Sequence, residues 1–232
     1  MSAGPKGEDS AAGDGPSATG KSAALPAWFA ELLEGGPEIA DEDFVGTDLR
    51  QLSLRRLHFS RCRFDEASLD ELSTEACSFT DCSFDRAELN GSTHLRSAFV
   101  ACTFTRTRFT GASLTECKLT GSVFADTPLR SVTISGGGDW SAVSLGGADL
   151  RELDFTDVKL VDANVTGARL DRCVFSGANL RGLRWGQASL RDADLRGAVI
   201  EGLDPRVVDL TGTRVEVEQA LAFAQYLGVR IG

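Results

Sequence analysis

A repeat of five residues runs through most of the chain and restricts its fold more than any other feature. From Phe44, nearly every fifth residue is large and apolar as far as Ile134, and after one extra residue within 136–138 the same step continues from Trp140 to Val215. The period of an α-helix is about 3.6 residues and that of a β-strand about 2, so neither element matches a step of five. The chain is therefore expected to form a coil of short straight sides.

A second row of positions, two residues before each member of the first, is also small or apolar, as at Ala67, Cys77 and Ala87. No charged residue after Glu42 occupies either row. Because an unpaired buried charge costs too much free energy to recur along a chain, both rows are expected to face one continuous interior.

Similar residues also recur every twenty positions, which indicates four sides in each turn of the coil. Successive turns would then stack at the spacing of neighbouring strands, about 4.8 Å. The sequence predicts an all-β solenoid over residues 42–215, with a register shift near 136–138. Its predicted structural core contains one column of stacked phenylalanines: Phe44, Phe64, Phe84, Phe104 and Phe124.

The N-terminal segment differs from the repeat. Residues 1–24 are rich in Gly, Ser and Ala and are predicted to form a disordered tail. Residues 25–41 are predicted to form a short helical cap over the first coil, with Trp28, Phe29, Leu32 and Leu33 on its apolar side. The alternative is a helix that binds in the groove of a partner.

The C-terminal segment, residues 216–232, has apolar residues at helical spacing and more of them than one helix can bury against one coil. We expect this helix to form a homodimer about a two-fold axis, with a monomeric cap as the alternative. The predicted interface consists of Val217, Leu221, Phe223, Ala224, Tyr226, Leu227, Val229 and Ile231.

Residues suited to catalysis or metal binding are few. All six cysteines fall in the small inward row without a C-x-x-C pair, which favours structural thiols. Thr74 and His94 are twenty residues apart, so they are expected to make a polar contact between adjacent coils. We predict no enzymatic activity, no cofactor and no metal site.

The chain has 34 acidic and 24 basic residues and a formal net charge of −10. This balance disfavours direct binding to nucleic acid or to an anionic membrane. No apolar stretch is long enough to span a bilayer and no secretory signal is evident, so a cytoplasmic protein is expected.

Two segments, Gly147-Ala148-Asp149-Leu150-Arg151 and Asp192-Ala193-Asp194-Leu195-Arg196, fit the pattern A(D/N)LXX. The chain thus resembles the pentapeptide-repeat family, which implies a right-handed quadrilateral β-helix. The tail over residues 213–224 is similar to that of the quinolone-resistance (Qnr/MfpA-type) members. That resemblance implies a dimer through the tail helix and a rod that mimics duplex DNA, occupies the DNA-binding saddle of DNA gyrase and inhibits supercoiling or lowers sensitivity to quinolones.

The charges of the repeat region bear on this expectation. Residues 41–215 contain 26 acidic and 21 basic residues, a net charge of −5. The rod is expected to be about 40 Å long, from nearly nine coils at strand spacing. Duplex DNA of that length carries about 24 charges. Any mimicry must therefore depend on the distribution of charge. The gyrase-binding surface is predicted to comprise Asp149, Glu152, Asp171, Asp192, Asp194, Asp204, Asp209, Glu216 and Glu218. The alternative function is a non-enzymatic interaction rod that recruits a partner through its N-terminal helix.

Overall fold

The computed structural model describes residues 15–20 and 27–230. These residues form two helices and thirteen short strands. Their bounds are β1 Ser17–Gly20, α1 Ala27–Glu34, β2 Glu38–Ala40, β3 Leu52–Arg55, β4 His58–Ser60, β5 Ser73–Glu75, β6 Ser78–Thr80, β7 Thr93–Leu95, β8 Ala98–Val100, β9 Thr103–Thr105, β10 Ser113–Lys118, β11 Val123–Ala125, β12 Thr133–Asp139, β13 Val158–Lys159 and α2 Val217–Tyr226.

The strands of the repeat pair in parallel with a register of twenty residues, which confirms the four-sided solenoid built from five-residue repeats. Phe59 pairs with Phe79, and Phe79 in turn pairs with Phe99. Single β-bridges continue the same ladders where the strands are too short to be assigned. One column extends through Glu38, His58, Ser78, Ala98, Lys118, Asp139, Lys159, Asn179 and Val199.

The two inward rows fill the interior as the spacing predicts. No charged side chain is buried among the residues that the structure describes, and the buried polar ones are Ser, Thr, His and Gln. The predicted phenylalanine column is stacked, with ring centroids 4.7 Å apart between Phe44 and Phe64, 5.0 Å between Phe64 and Phe84, and 4.9 Å between Phe84 and Phe104. Phe124 continues the column at 4.7 Å from Phe104.

The chain turns a corner after each central position of the five-residue repeat. The second residue after each central position often has a positive φ, for example 59° at Gln51 and 52° at Arg56. This left-handed conformation costs a non-glycine residue about 1–2 kcal/mol. Ladder bonds offset that cost, because the Gln51 amide donates to the Asp70 carbonyl and the Arg56 amide to the Glu75 carbonyl, both at 2.9 Å.

The predicted register shift lies between β10 and β12. Ser113 pairs with Thr133 across twenty residues, whereas Cys117 pairs with Gly138 across twenty-one. The extra residue is accommodated in three consecutive glycines with positive φ, Gly136 to Gly138. After the shift, the ladders again pair residues that are twenty apart, as far as Arg214.

The N-terminal boundaries differ from the prediction. Residues 17–20 are not disordered, because β1 pairs antiparallel with β3 of the first coil; residues 1–14 and 21–26 lie outside the described residues. In the described part of the predicted cap, residues 27–41, the helix extends from Ala27 to Glu34. The solenoid begins at β2 rather than at residue 42, since Ile39 fills the core position five residues before Phe44 and pairs with Phe59.

Helix α1 packs its apolar side against the first coil. Phe29 is 1% exposed, and its ring lies 6.2 Å from that of Phe44. Leu32 and Leu33 also pack against the core, although Trp28 stays 44% exposed. The helix is therefore a cap, and little of its apolar side remains for the partner groove considered as an alternative.

Candidate partner-binding surface

The structure places five of the predicted binding acids on one side of the solenoid. Asp149 and Asp209 belong to a single column that also contains Arg169 and Ser189, and Glu152, Asp171 and Asp192 follow the central leucines of the same side. Asp194 belongs to a different column, with Val174 and Arg214. The remaining acids, Asp204, Glu216 and Glu218, are not part of these two columns. The predicted surface is thus only partly contiguous.

Arginine side chains already pair with many of these carboxylates. Asp149 accepts hydrogen bonds from Arg151 at 2.7 Å and from Arg169 at 2.8 Å. The same arrangement recurs at four other acids of the predicted surface, each with its own arginine: Glu152 with Arg172, Asp194 with Arg196, Asp204 with Arg206, and Asp209 with Arg191. Most of the predicted surface is therefore a mosaic of ion pairs rather than a strip of free negative charge.

These contacts keep the carboxyl groups ionised. The guanidinium of Arg151 lowers the pKa of Asp149 to about 2. The pKa of Asp209 is also about 2, lowered by the Thr211 hydroxyl and backbone and then by Arg191. The charges of Asp149 and Asp209 consequently do not change between neutral pH and about pH 4.

Four predicted acids have no arginine side chain of the described residues within ion-pair distance. Asp192, Glu216 and Glu218 make no ion pair within 4.0 Å with any residue that the structure describes. Asp171 accepts hydrogen bonds from the Ser189 hydroxyl and from the Arg191 backbone amide, at 3.1 Å for the latter. The acids most accessible to a partner's cations therefore lie towards the C-terminal end of the rod.

Gln219 attaches the C-terminal helix to the last coil, a role that the sequence reading missed. Its side-chain carbonyl accepts the Glu216 amide at 2.9 Å, and its side-chain amide donates to the carbonyls of Leu195 and Ala198, both at 2.8 Å. These three hydrogen bonds satisfy the buried side-chain amide of Gln219 with backbone groups, so they fix the position of the helix on the last coil. The sequence does contain an indication of this contact, because a Gln three residues after Glu216 matches one half of a capping box.

The other side of α2 and the residues after it expose apolar side chains. Val217 is 70% exposed and Leu227 is 60% exposed, and Leu221, Tyr226 and Val229 are also exposed. Phe223 instead packs partly against the core and Ala224 is half-buried, whereas Ile231 lies outside the described residues. The predicted dimer interface thus contains an exposed apolar patch, hereafter the C-terminal patch: Val217, Leu221, Tyr226, Leu227 and Val229.

His94 is fully enclosed by a hydroxyl network inside the rod. Thr74 lies in the adjacent coil, as predicted, and its hydroxyl is 2.8 Å from His94 Nδ1. Ser92 is 3.0 Å from His94 Nε2 and donates its own hydroxyl to the Leu89 carbonyl. Because the Ser92 hydroxyl donates to Leu89, Nε2 of His94 is the donor to Ser92, and the network is structural.

Burial lowers the pKa of His94 to about 4, from a value of 6.5 in the unfolded chain. The unfolded state therefore binds a proton between these values that the folded state excludes, and stability falls as the pH decreases. We expect the free energy of unfolding to drop by about 2 kcal/mol from pH 7 to pH 5. Denaturant titrations should show this drop in the native chain and in His58→Gln, but not in His94→Leu; an equal drop in His94→Leu would contradict the assignment.

The six cysteines are buried free thiols. Several direct the S–H group at a carbonyl of the preceding coil, as Cys102 does to Phe79 at 3.3 Å. Serine and threonine in the same row make equivalent bonds, such as Ser122 to Phe99 at 2.9 Å. Cysteine therefore serves here as a small apolar residue with a weak donor.

Burial raises the pKa of Cys117 to about 11 and that of Cys173 to about 12. A thiol of this kind has almost no reactive thiolate at neutral pH. We expect a thiol reagent such as DTNB to label none of the six cysteines in the folded protein within an hour, and all six after unfolding in guanidinium. Rapid labelling of any cysteine in the folded state would contradict a purely structural role.

Within the described ranges, no group of three or more His, Cys, Asp or Glu side chains is arranged to hold a metal ion. None of the helices in those ranges is long and apolar enough to cross a membrane.

Comparison with known proteins agrees with the repeat geometry. The family model for pentapeptide repeats matches residues 43–73, 95–136, 141–177 and 173–213. The chain belongs to the pentapeptide-repeat family. Its members include the pentapeptide repeat protein MfpA of Mycobacterium tuberculosis, which is 38% identical over 116 residues. That match spans 50% of this chain and 55% of MfpA, so it covers about half of each protein.

Solved structures of the family share the fold. A trypsin-treated form of QnrB1, a plasmid-mediated fluoroquinolone resistance protein, aligns with a TM-score of 0.72 at 22% identity and covers 84% of this chain and 97% of its own. Full-length QnrB1 aligns with a TM-score of 0.69 at 21% identity, over 83% of this chain and 100% of its own.

Proposed function

We propose that this protein binds DNA gyrase in place of duplex DNA and thereby inhibits supercoiling, lowers sensitivity to quinolones or related gyrase poisons, or does both. The observation that carries the proposal is the 38% identity to MfpA, together with the similar tail and the carboxylates on one side of four successive coils, at Asp149, Asp171, Asp192 and Asp209. The fluoroquinolone resistance attributed to QnrB1, a protein of the same fold, is consistent with it. Gyrase is an intracellular enzyme, so the proposed location is the cytoplasm.

Ion pairing on the rod determines how a carboxylate could engage the enzyme. Solvent-exposed ion pairs contribute only about 0–1 kcal/mol to stability, so Asp149 can exchange Arg169 for a basic residue of gyrase at little cost. Arginine has a long side chain that can turn aside while its stem remains on the surface. We therefore propose that the arginines neutralise the carboxylates they pair with in the free protein and that these carboxylates become available on contact with a cationic groove.

The C-terminal patch supports a dimer in the proposed function. Five exposed apolar side chains in a segment of thirteen residues, 217–229, are unusual for a solvated surface. A two-fold axis through α2 would bury the patch against itself, and it would place two rods end to end. Glu216 and Glu218, which have no ion-pair partner, would then lie close to that axis on both copies.

The proposal is tested by gyrase supercoiling assays with purified protein. We expect inhibition at protein concentrations comparable to that of the enzyme, and about a tenfold loss of potency when Glu216→Gln and Glu218→Gln are combined, since each charge-assisted bond contributes about 1.5–3 kcal/mol at most and is partly screened. Glu31→Gln combined with Glu34→Gln, which removes two charges from α1, is the matched control and should leave potency unchanged. Absence of inhibition at large molar excess would refute the function.

A further inference from the structure

Strand β1 differs from the other strands of the solenoid. It is the one antiparallel partner among the strand pairs of the described residues, and it aligns Ser17 with Arg55, Ala18 with Leu54 and Gly20 with Leu52. All other pairs in the described ranges are parallel and join one coil to the next. β1 therefore adds to the solenoid from outside the repeat.

β1 pairs with backbone groups of the first coil for which the repeat itself offers no hydrogen-bonding strand. In later coils the residue before each central position donates its amide to the preceding coil, as Thr93 does to Leu72 at 2.8 Å and Ser113 to Ser92 at 2.9 Å. Ser53 occupies the same place in the first coil, where no earlier coil exists on that side. An open strand edge of this kind is a template for pairing with another chain, and β1 covers it.

Few contacts hold β1 in this position. Ala18 packs partly against the core, and Gly20 has no side chain. In the part of the chain that the structure describes, no side-chain hydrogen bond or ion pair joins residues 15–20 to the solenoid. A groove of about 240 Å³, lined by Pro16, Leu33 and Leu57 among others, separates β1 from the cap. The strand is held mainly by its backbone pairing.

We propose that β1 is a removable strap over a self-association edge, and that the occupant of the edge, once it is free, is strand β3 of a second copy. The edge already accepts an antiparallel strand. A two-fold axis at Ser53 would place Leu52 opposite Leu54 of the partner subunit, so the inward residues of both copies would remain inward. Ser53 would exchange its amide and carbonyl bonds with the same residue of the partner subunit.

This surface lies at the opposite end of the rod from the C-terminal patch and does not depend on the proposed binding to gyrase. With the strap in place, the rod is closed at its N-terminal end. With the strap displaced, rods pair edge to edge through β3 of the first coil, while α1 continues to cap each core.

Two single substitutions in the full-length chain test the strap. Ala18→Asp places a carboxylate at a partly buried position opposite the buried Leu54, where its desolvation is unfavourable, so β1 should detach. Ser17→Asp adds the same charge on the outward side next to Arg55, so β1 should stay attached. Light scattering after size exclusion should give Ala18→Asp a mass that rises with concentration above that of Ser17→Asp, while limited proteolysis should cut residues 15–20 faster in Ala18→Asp.

A third substitution shows whether the β3 edge forms the contact. Ser53→Pro removes the amide that points away from β5, and in the Ala18→Asp background it should return the mass to that of Ser17→Asp. A detached β1 without any increase in mass would overturn the proposal. An increase that survives Ser53→Pro would assign the association to another surface, and a β1 that remains protected in Ala18→Asp would show that it is not removable.

Discussion

Replacing Phe84 with alanine is expected to lower the free energy of unfolding by about 3–5 kcal/mol. Phe84 lies in the middle of the stacked column, between Phe64 and Phe104, and its ring also meets the edges of Phe79 and Phe99 at 5.8 and 6.1 Å. Its neighbours are fixed by the ladders on all sides, so they cannot collapse into the cavity. Equilibrium denaturation with guanidinium measures the loss.

Val123→Ala is the matched control for this substitution. Val123 precedes Phe124 of the same column, but its side chain points outward and is 41% exposed. Removing it should change stability by no more than about 0.5 kcal/mol. Similar losses in both variants, or a loss below 1 kcal/mol for Phe84→Ala, would contradict a tightly packed interior.

Gly138→Ala is expected to destabilise the protein by about 3 kcal/mol. The residue has a φ of 141°, which side-chain-bearing residues rarely adopt, and a Cβ added there would lie 2.2 Å from the Cys117 carbonyl oxygen. Neither backbone segment can move away to relieve this clash, because Cys117 and Gly138 are paired in the ladder where the register changes. Thermal or denaturant unfolding measures the effect.

Gly147 provides the corresponding control. It also has a positive φ, 69°, but no atom lies within 4 Å of the position that its Cβ would take. Gly147→Ala should therefore cost only the left-handed strain, about 1 kcal/mol. If Gly138→Ala were no worse than Gly147→Ala, the inserted residue would not be confined as the structure describes.

Much of the fold follows directly from the sequence, because the repeat records the interior residue by residue. The rows that contain Phe84 and Ala87 are buried, and the register of twenty is the one that the phenylalanine column predicts. A coil whose contacts are all between neighbouring turns leaves few alternative topologies. The register shift near residue 137 was predictable for the same reason.

The remaining features depend on contacts that a period does not specify. β1 contains Ser, Ala, Thr and Gly and has no apolar pattern of its own, so only the open edge of β3 explains it. The arginine partners of Asp149 depend on side-chain directions at the surface. The sequence identified the acids but not their neutralisation.

This neutralisation affects how the candidate surface should behave in solution. Because Asp149 and its neighbours are paired within the chain, the rod presents far less free charge than duplex DNA of the same length. Affinity for a cationic groove should then depend on exchange of partners and fall as salt increases. The unpaired Glu216 and Glu218 are expected to contribute most.

The most direct test of the proposed function is competition for gyrase between this protein and a labelled DNA duplex, followed by fluorescence anisotropy. If the protein occupies the place of DNA, adding it to a preformed complex should release the duplex fully, with an apparent affinity for the protein that weakens as DNA concentration rises. A duplex that stays bound at saturating protein, in a complex that contains all three components, would contradict occupation of the DNA site.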